Sequence, residues 1–332
     1  MPINIQQRSF LKLIDFSGKE IRNLLDLSRE LKLAKLEGGE SQILKGKNIV
    51  LISERLSDVY KCLFSVATAD LGMSVTFLNP SDIILRKNES IKDFARVLGR
   101  MYNAIGYFGS SQDNIESLAR FSGIPAWNGC SLEHSPIQVL ADLITIQEHS
   151  DQPLRKISCC FIGDGRSSNV KSLIEAAIRI GFDLRIASPE SLWPDSKYIE
   201  NTIQISKETH GKITLTESVT DAVKNVDFIY ASSWISMDDK PELWKSRIDM
   251  LKPFRVDMSV IELAKNPKVR FMHSLPAIHN KDSQIGQEFF KNYGLDGLEV
   301  TNDVFESPAS VVFDQAENKL HALKAIMVAT LG

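Results

Sequence analysis

Short apolar runs alternate with helix-spaced segments along most of the 332-residue chain, and this alternation limits the possible folds more than any other feature. The runs of strand length are Asn48–Ile52, Val75–Leu78, Ala104–Tyr107, Ile157–Ile162, Leu184–Ala187, Ile213–Leu215 and Phe228–Tyr230. Between them lie segments whose apolar residues recur three and four apart, the signature of a helix with one buried face. Gly18–Leu33 is one, with Ile21, Leu24, Leu25, Leu27 and Leu31; Val59–Leu71, Ile91–Met101, Ile137–His149, Asn169–Ile180 and Val219–Lys224 are others. Strands that alternate with helices predict parallel sheets covered on both faces. A polar break at Ser150–Pro153 and a length sufficient for two cores predict an α/β protein of two doubly wound parallel-sheet domains. The first spans residues 1–149 and is completed by a C-terminal helix at 313–332 that crosses back to it; the second spans 150–312.

Composition excludes several roles. A net charge of −3 offers neither a basic field for nucleic acid nor a polybasic membrane patch. The longest apolar runs are too short to cross a bilayer, and Met1–Leu11 has no apolar stretch of signal-peptide length. Cys62, Cys130, Cys159 and Cys160 fit neither a disulfide framework nor a zinc site, so the expectation is a cytoplasmic protein in a reducing compartment, with no metal.

In doubly wound sheets, ligands bind beyond the carboxyl ends of strands. That rule directs attention to Ser53–Lys61, Tyr107–Ser110, Gly163–Ser168, Ala231–Asp238 and His273–Pro276. Gly163-Asp164-Gly165 begins like a dinucleotide fingerprint, but Ser168 stands where the third glycine belongs, so no nicotinamide cofactor is expected. His273 and Ser274 are neighbours, and in extended chain their side chains point to opposite sides, which favours a turn lining a site over a His-activated serine. Ser135 precedes Pro136 at a helix start, where free N–H groups attract anions; it is also an ordinary N-cap.

Taken together, several motifs in order resemble the ornithine carbamoyltransferases of the aspartate/ornithine carbamoyltransferase family. They are Glu89-Ser90-Ile91-Lys92-Asp93 with Ala95-Arg96-Val97-Leu98-Gly99-Arg100, Gln138-Val139-Leu140-Ala141-Asp142, Gly163-Asp164-Gly165-Arg166, Trp234-Ile235-Ser236-Met237, His273-Ser274-Leu275-Pro276-Ala277, and Val304-Phe305-Glu306-Ser307 through Ala316-Glu317-Asn318. The resemblance implies a carbamoyl-phosphate domain, an amino-acid domain and a homotrimer with sites at subunit interfaces. It implies a donor site of Ser57, Asp58, Val59, Tyr60, Lys61, Phe108, Ser135, Gln138, Leu275 and Lys319, with His273, Ser274 and Lys319 nearest the chemistry. The implied acceptor site is Ser167, Ser168, Ser232, Ser236, Met237 and Asp238.

At these positions the chain departs from the family pattern. The donor motif Ser-Thr-Arg-Thr-Arg falls on Ser57-Asp58-Val59-Tyr60-Lys61, so its central arginine is Val59 and Asp58 brings a negative charge. A second arginine is Phe108, the histidine of His-Pro-x-Gln is Ser135, the cysteine of His-Cys-Leu-Pro is Ser274, and the arginine of Glu-Asn-Arg is Lys319. The swinging loop's basic residue falls on Asn88, beside Arg86 and Lys87. On the acceptor side the paired asparagines are Ser167-Ser168, the substrate-gripping aspartate is Ser232, and Asp238 replaces a glycine. A dianionic donor is matched by bidentate arginines. Losing two of them and a histidine removes on the order of 6 kcal/mol of donor or transition-state stabilisation.

These departures cluster at ligand positions while the scaffold motifs persist. The expectation is therefore a transferase with an amino-acid-type acceptor and an altered donor, in specialised metabolism and without a cofactor. Two alternatives stay open: a non-catalytic binding or regulatory homologue, and residual ornithine carbamoyltransferase activity.

Overall fold

The computed structural model describes residues 5–55, 57–81, 90–235 and 241–332, with side chains throughout except at 203, 205–208 and 241. The chain forms two compact units, Met1–Ile144 with Glu317–Gly332, and Thr145–Ala316.

In the first unit, α1 (Gly18–Leu36) is opened by a capping box in which Ser17 and Glu20 satisfy each other's backbone N–H groups. Strands β1 (Asn48–Ser53), β2 (Ser74–Leu78), β3 (Ala104–Phe108) and β4 (Ala126–Cys130) alternate with α2 (Asp58–Leu71), α3 (Ile91–Met101) and α4 (Gln112–Ser122), and α5 (Pro136–Glu148) follows. The apolar pattern leaves 112–130 unassigned, and α4 and β4 lie there. The sheet is wholly parallel, in the order β2-β1-β3-β4, with Ser53 opposite Phe108. Its core joins Val50, Ile52, Ile105 and Tyr107 of the strands to Ala95, Leu98, Ile115 and Leu118 of α3 and α4.

The second unit holds β5 (Ser158–Ile162), α6 (Ser168–Ile180), β6 (Asp183–Ala187), α7 (Ser196–Thr209), β7 (Lys212–Thr216), α8 (Val219–Val223), β8 (Phe228–Ala231), α9 (Pro241–Leu251), α10 (Met258–Leu263), β9 (Arg270–His273), α11 (Gln284–Tyr293) and α12 (Asn302–Phe305). Its five strands are also all parallel, ordered β7-β6-β5-β8-β9. The expectation of doubly wound parallel sheets holds in both units. Among the described residues, no helix is long and apolar enough to cross a membrane.

The last helix, α13 (Val312–Leu331), packs into the first unit as expected. Ala322, Leu323, Ala325, Ile326 and Met327 are fully buried, and Thr330 Oγ1 accepts a 3.0 Å hydrogen bond from the Trp127 indole. A buried charge cluster adds to this seat. Lys324, 1% exposed, pairs with Glu40 and, at 3.1 Å, with Asp70, which also receives Lys35 at 2.7 Å. Burial alone would raise the Asp70 pKa, but hydrogen bonds from Lys35 and Lys324 hold it below the usual range. One turn earlier, burial and the charges of Lys324 and Lys32 push His321 down to about 4. A neutral His321 binds one proton fewer than it does in the unfolded chain at mildly acid pH. Stability present above the unfolded imidazole pKa of about 6.5 is therefore lost as pH falls toward about 4. The expected loss from His321 is on the order of 2 kcal/mol across that window. Guanidinium denaturation of the parent chain and of His321→Gln at a series of pH values checks this, the variant showing the flatter dependence.

Candidate active site

Each sheet has one point where the strand order reverses, between β1 and β3 in the first and between β5 and β8 in the second. Loops leaving neighbouring strands diverge at such a point and open a crevice at the carboxyl ends. The sequence-predicted site residues that are described lie at or around these two points.

In the first unit, Ser57 caps α2 by accepting the Tyr60 N–H, so the cap directs the Tyr60 backbone into the helix. The Tyr60 ring is buried and its hydroxyl donates to the Gly129 carbonyl at 2.8 Å. Phe108, at the end of β3, stacks on Tyr60 with 4.3 Å between ring centroids. Lys319 of α13 places its Nζ over the Tyr60 ring at 5.2 Å, and the Arg55 guanidinium lies 4.7 Å over Phe108. The sequence reading missed Arg55, although it stands in the Ser53–Lys61 segment just after β1. Its Nη2 donates to the Gly109 carbonyl at 3.2 Å. A guanidinium, a lysine amine and two rings thus form one column at the reversal point.

The polar residues around the column are partly engaged. Gln138, 3% exposed, donates from Nε2 to Asp142 Oδ1 at 2.8 Å. Ser135 is buried near the Tyr60 phenol, whose pKa rises through burial and then through Cys130. Burial lowers the pKa of Lys319, against the opposing pull of Asp142 and Cys130. Val59 does not join the column: it is 66% exposed. Asp58 is exposed and Lys61 partly so.

In the second unit, Ser167 caps α6 by accepting the Val170 N–H, which ties its hydroxyl to the helix, and Ser168 is the first residue of α6. Arg166 is bound to Asp164 through two hydrogen bonds of 3.1 and 3.0 Å. Ser232, just past β8, is 5% exposed, and its buried hydroxyl has no partner among the described residues. Ser236, Met237 and Asp238, like Arg86, Lys87 and Asn88, lie outside the described residues.

His273 and Ser274 diverge as expected for adjacent extended residues. The His273 ring is fully buried, with Nε2 3.2 Å from Glu299 Oε1, which also accepts the Ile278 N–H at 2.9 Å. The Ser274 hydroxyl instead accepts from Asn169 Nδ2 at 2.6 Å. Ser274 thus has an amide partner, whereas neither His273 ring nitrogen makes a hydrogen bond with a described residue although Glu299 Oε1 lies close by. Leu275 packs against the core of this unit and precedes a cis peptide bond to Pro276. Neither Glu299 nor Asn169 is singled out by the sequence, because each meets its partner only through the fold. Among the described residues, no cluster of three His, Cys, Asp or Glu side chains could hold a metal ion.

Glu299 is buried and its Oε1 accepts the Ile278 N–H, so deleting the carboxylate leaves that donor unsatisfied. Glu299→Ala is expected to cost about 1–3 kcal/mol of unfolding free energy. Glu299→Gln, which keeps an acceptor for Ile278, is expected to cost less. Guanidinium denaturation of the two variants measures both.

The two units correspond to two family domains. The carbamoyl-P binding domain of aspartate/ornithine carbamoyltransferase matches residues 8–148, and the Asp/Orn binding domain matches residues 155–330. Among solved structures, an ornithine carbamoyltransferase from Pyrococcus furiosus is 34% identical with a TM-score of 0.89, over 99% of this chain and 98% of that one. An anabolic ornithine carbamoyltransferase from Campylobacter jejuni is 28% identical with a TM-score of 0.85, over 96% and 97% of the two chains. One from Thermus thermophilus is 27% identical with a TM-score of 0.81, over 98% and 99%. With both domain types matched in order, the chain belongs to the aspartate/ornithine carbamoyltransferase family.

Proposed function

We propose that the chain is a transferase that joins an amino-acid-type acceptor to a donor other than dianionic carbamoyl phosphate. The observation that carries this reading is the Arg55–Phe108–Tyr60–Lys319 column at the reversal point of the first sheet. A phosphoryl group bearing two negative charges needs forked cations and free N–H donors. Here the rings stand where the resemblance expects donor contacts, and Arg55 spends one donor on a backbone carbonyl. What remains is one buried amine and two aromatic faces, suited to a donor with less charge and more apolar or planar surface.

On the acceptor side, the Ser232 hydroxyl and the capping Ser167 favour neutral hydrogen bonding over the carboxylate–ammonium pair that the resemblance implies. Asp238 is part of this reading as the residue that could supply a carboxylate. We place the activity in specialised metabolism, in the cytoplasm, in a homotrimer with sites at subunit interfaces. Exposed Val59 and Leu132, 66% and 57% accessible in the first unit, are apolar surface that such an interface would cover.

The test is citrulline formation from ornithine and carbamoyl phosphate. A loss on the order of 6 kcal/mol corresponds to kcat/KM about four orders of magnitude below ordinary family members. Returning an arginine in Phe108→Arg should raise that activity by at least about tenfold, since a charged hydrogen bond contributes about 1.5–3 kcal/mol. Citrulline production by the parent chain at ordinary rates would overturn the altered-donor reading in favour of ornithine carbamoylation, the reaction named for its solved relatives. Tight ligand binding with no turnover of any donor–acceptor pair would favour the non-catalytic reading instead. Light scattering of the eluted protein measures the assembly, three chains being the expected mass.

A further inference from the structure

The two buried lysines of α13 differ in one respect. Lys324 is paired with two carboxylates, whereas Lys319, nine-tenths buried, makes no hydrogen bond or ion pair with any described residue. An ammonium group has three protons to place and no lone pair. Around Lys319 the structure offers a ring face from α2, the Asp142 carboxylate from α5, one of whose oxygens already accepts from Gln138, and the Cys130 thiol from β4. Arg55 adds a second positive charge at the far end of the same column. The ring face and the carboxylate favour an ammonium, but burial without a hydrogen-bond partner for its protons outweighs them and favours the neutral amine. A neutral amine in such surroundings has a free lone pair and acts as a nucleophile.

We propose that Lys319 is a carbamoylation site, its ε-amine adding to isocyanic acid to leave a urea over the Tyr60 ring. The amine lone pair attacks the carbon of HN=C=O and a new C–N bond forms. The C=N π pair moves to the cyanate nitrogen, which takes up the proton released by the amine. Nothing leaves, and no oxidant or reductant is needed. The product is Nε-carbamoyl-lysine, a urea that does not take up a proton as an amine does, so the modification fixes this end of the column in a neutral form. The inference concerns the amine itself and does not depend on which donor the enzyme uses.

The full chain is incubated with cyanate between about pH 6 and about pH 10, where lysines change from mostly protonated to mostly neutral. Peptide mass spectrometry then gives separate rates for Lys319 and for Lys268, which is 83% exposed. Each rate is normalised to its own high-pH plateau, which removes differences in access. At neutral pH the normalised rate at Lys319 is expected to exceed that at Lys268, because burial favours the neutral amine at Lys319. In guanidinium the two profiles should coincide, and Lys319→Arg should abolish the modified peptide. Coincident profiles in the folded chain, or an unmodified Lys319 once Lys268 is fully converted, would overturn the assignment. The citrulline assay reports on the donor separately, so either result can fail without the other.

Discussion

The reversal of strand order in each parallel sheet is the constraint on which the functional geometry rests. Crossover helices cover both faces of such a sheet and leave its carboxyl edge as the place where side chains from distant segments can converge. In the first unit this edge brings Arg55 from the loop after β1, Tyr60 from α2 and Phe108 from the end of β3 into one column, with Lys319 arriving on α13. In the second, the segments after β5 and β8 bring Asp164, Ser167 and Ser232 to the other reversal point, with His273 at the end of β9 alongside. The fold decides where chemistry can occur, and the side chains at those edges decide which.

Those side chains make an internally consistent but unusual set. Aromatic faces can stabilise a cation, but they give no directed partner to a phosphoryl oxygen. Lys319 offers a single amine nitrogen and not the planar fork of a guanidinium. Gln138 and Ser135 are buried near the column, Gln138 donating to Asp142 on the same helix.

Much of the fold was legible because buried parallel strands read as apolar runs and amphipathic helices as a 3.6-residue period. Strand β4 was not, since Ala126-Trp127-Asn128-Gly129-Cys130 places a polar residue and a glycine in a five-residue strand. Asn128 is accommodated there because its amide donates to the Leu11 carbonyl and to Gln112, contacts that no local pattern reveals. Helix α4 was missed for a related reason: its first turn is polar and only Gln112, Ile115 and Leu118 are buried. At the candidate site, Tyr60, Phe108 and Lys319 stood out by departing from a motif. Arg55, Glu299 and Asn169 acquire their importance only through partners far away in the chain, and sequence spacing carries no trace of that.

The seat of α13 has a consequence for how the molecule is made. The first unit is discontinuous: its charge cluster needs Lys324 against Glu40 and Asp70, and its indole at Trp127 needs Thr330. Every residue of the second unit is synthesised between these partners. A ribosome-bound chain therefore carries a first unit with an unfilled helical groove and two carboxylates lacking their buried lysine, while the second unit has all of its own strands and can close first. Domains usually mature in the order of translation. Here the N-terminal half must wait for the last helix to emerge, so its exposed groove is the surface at which a nascent or truncated chain would meet chaperones or other copies of itself.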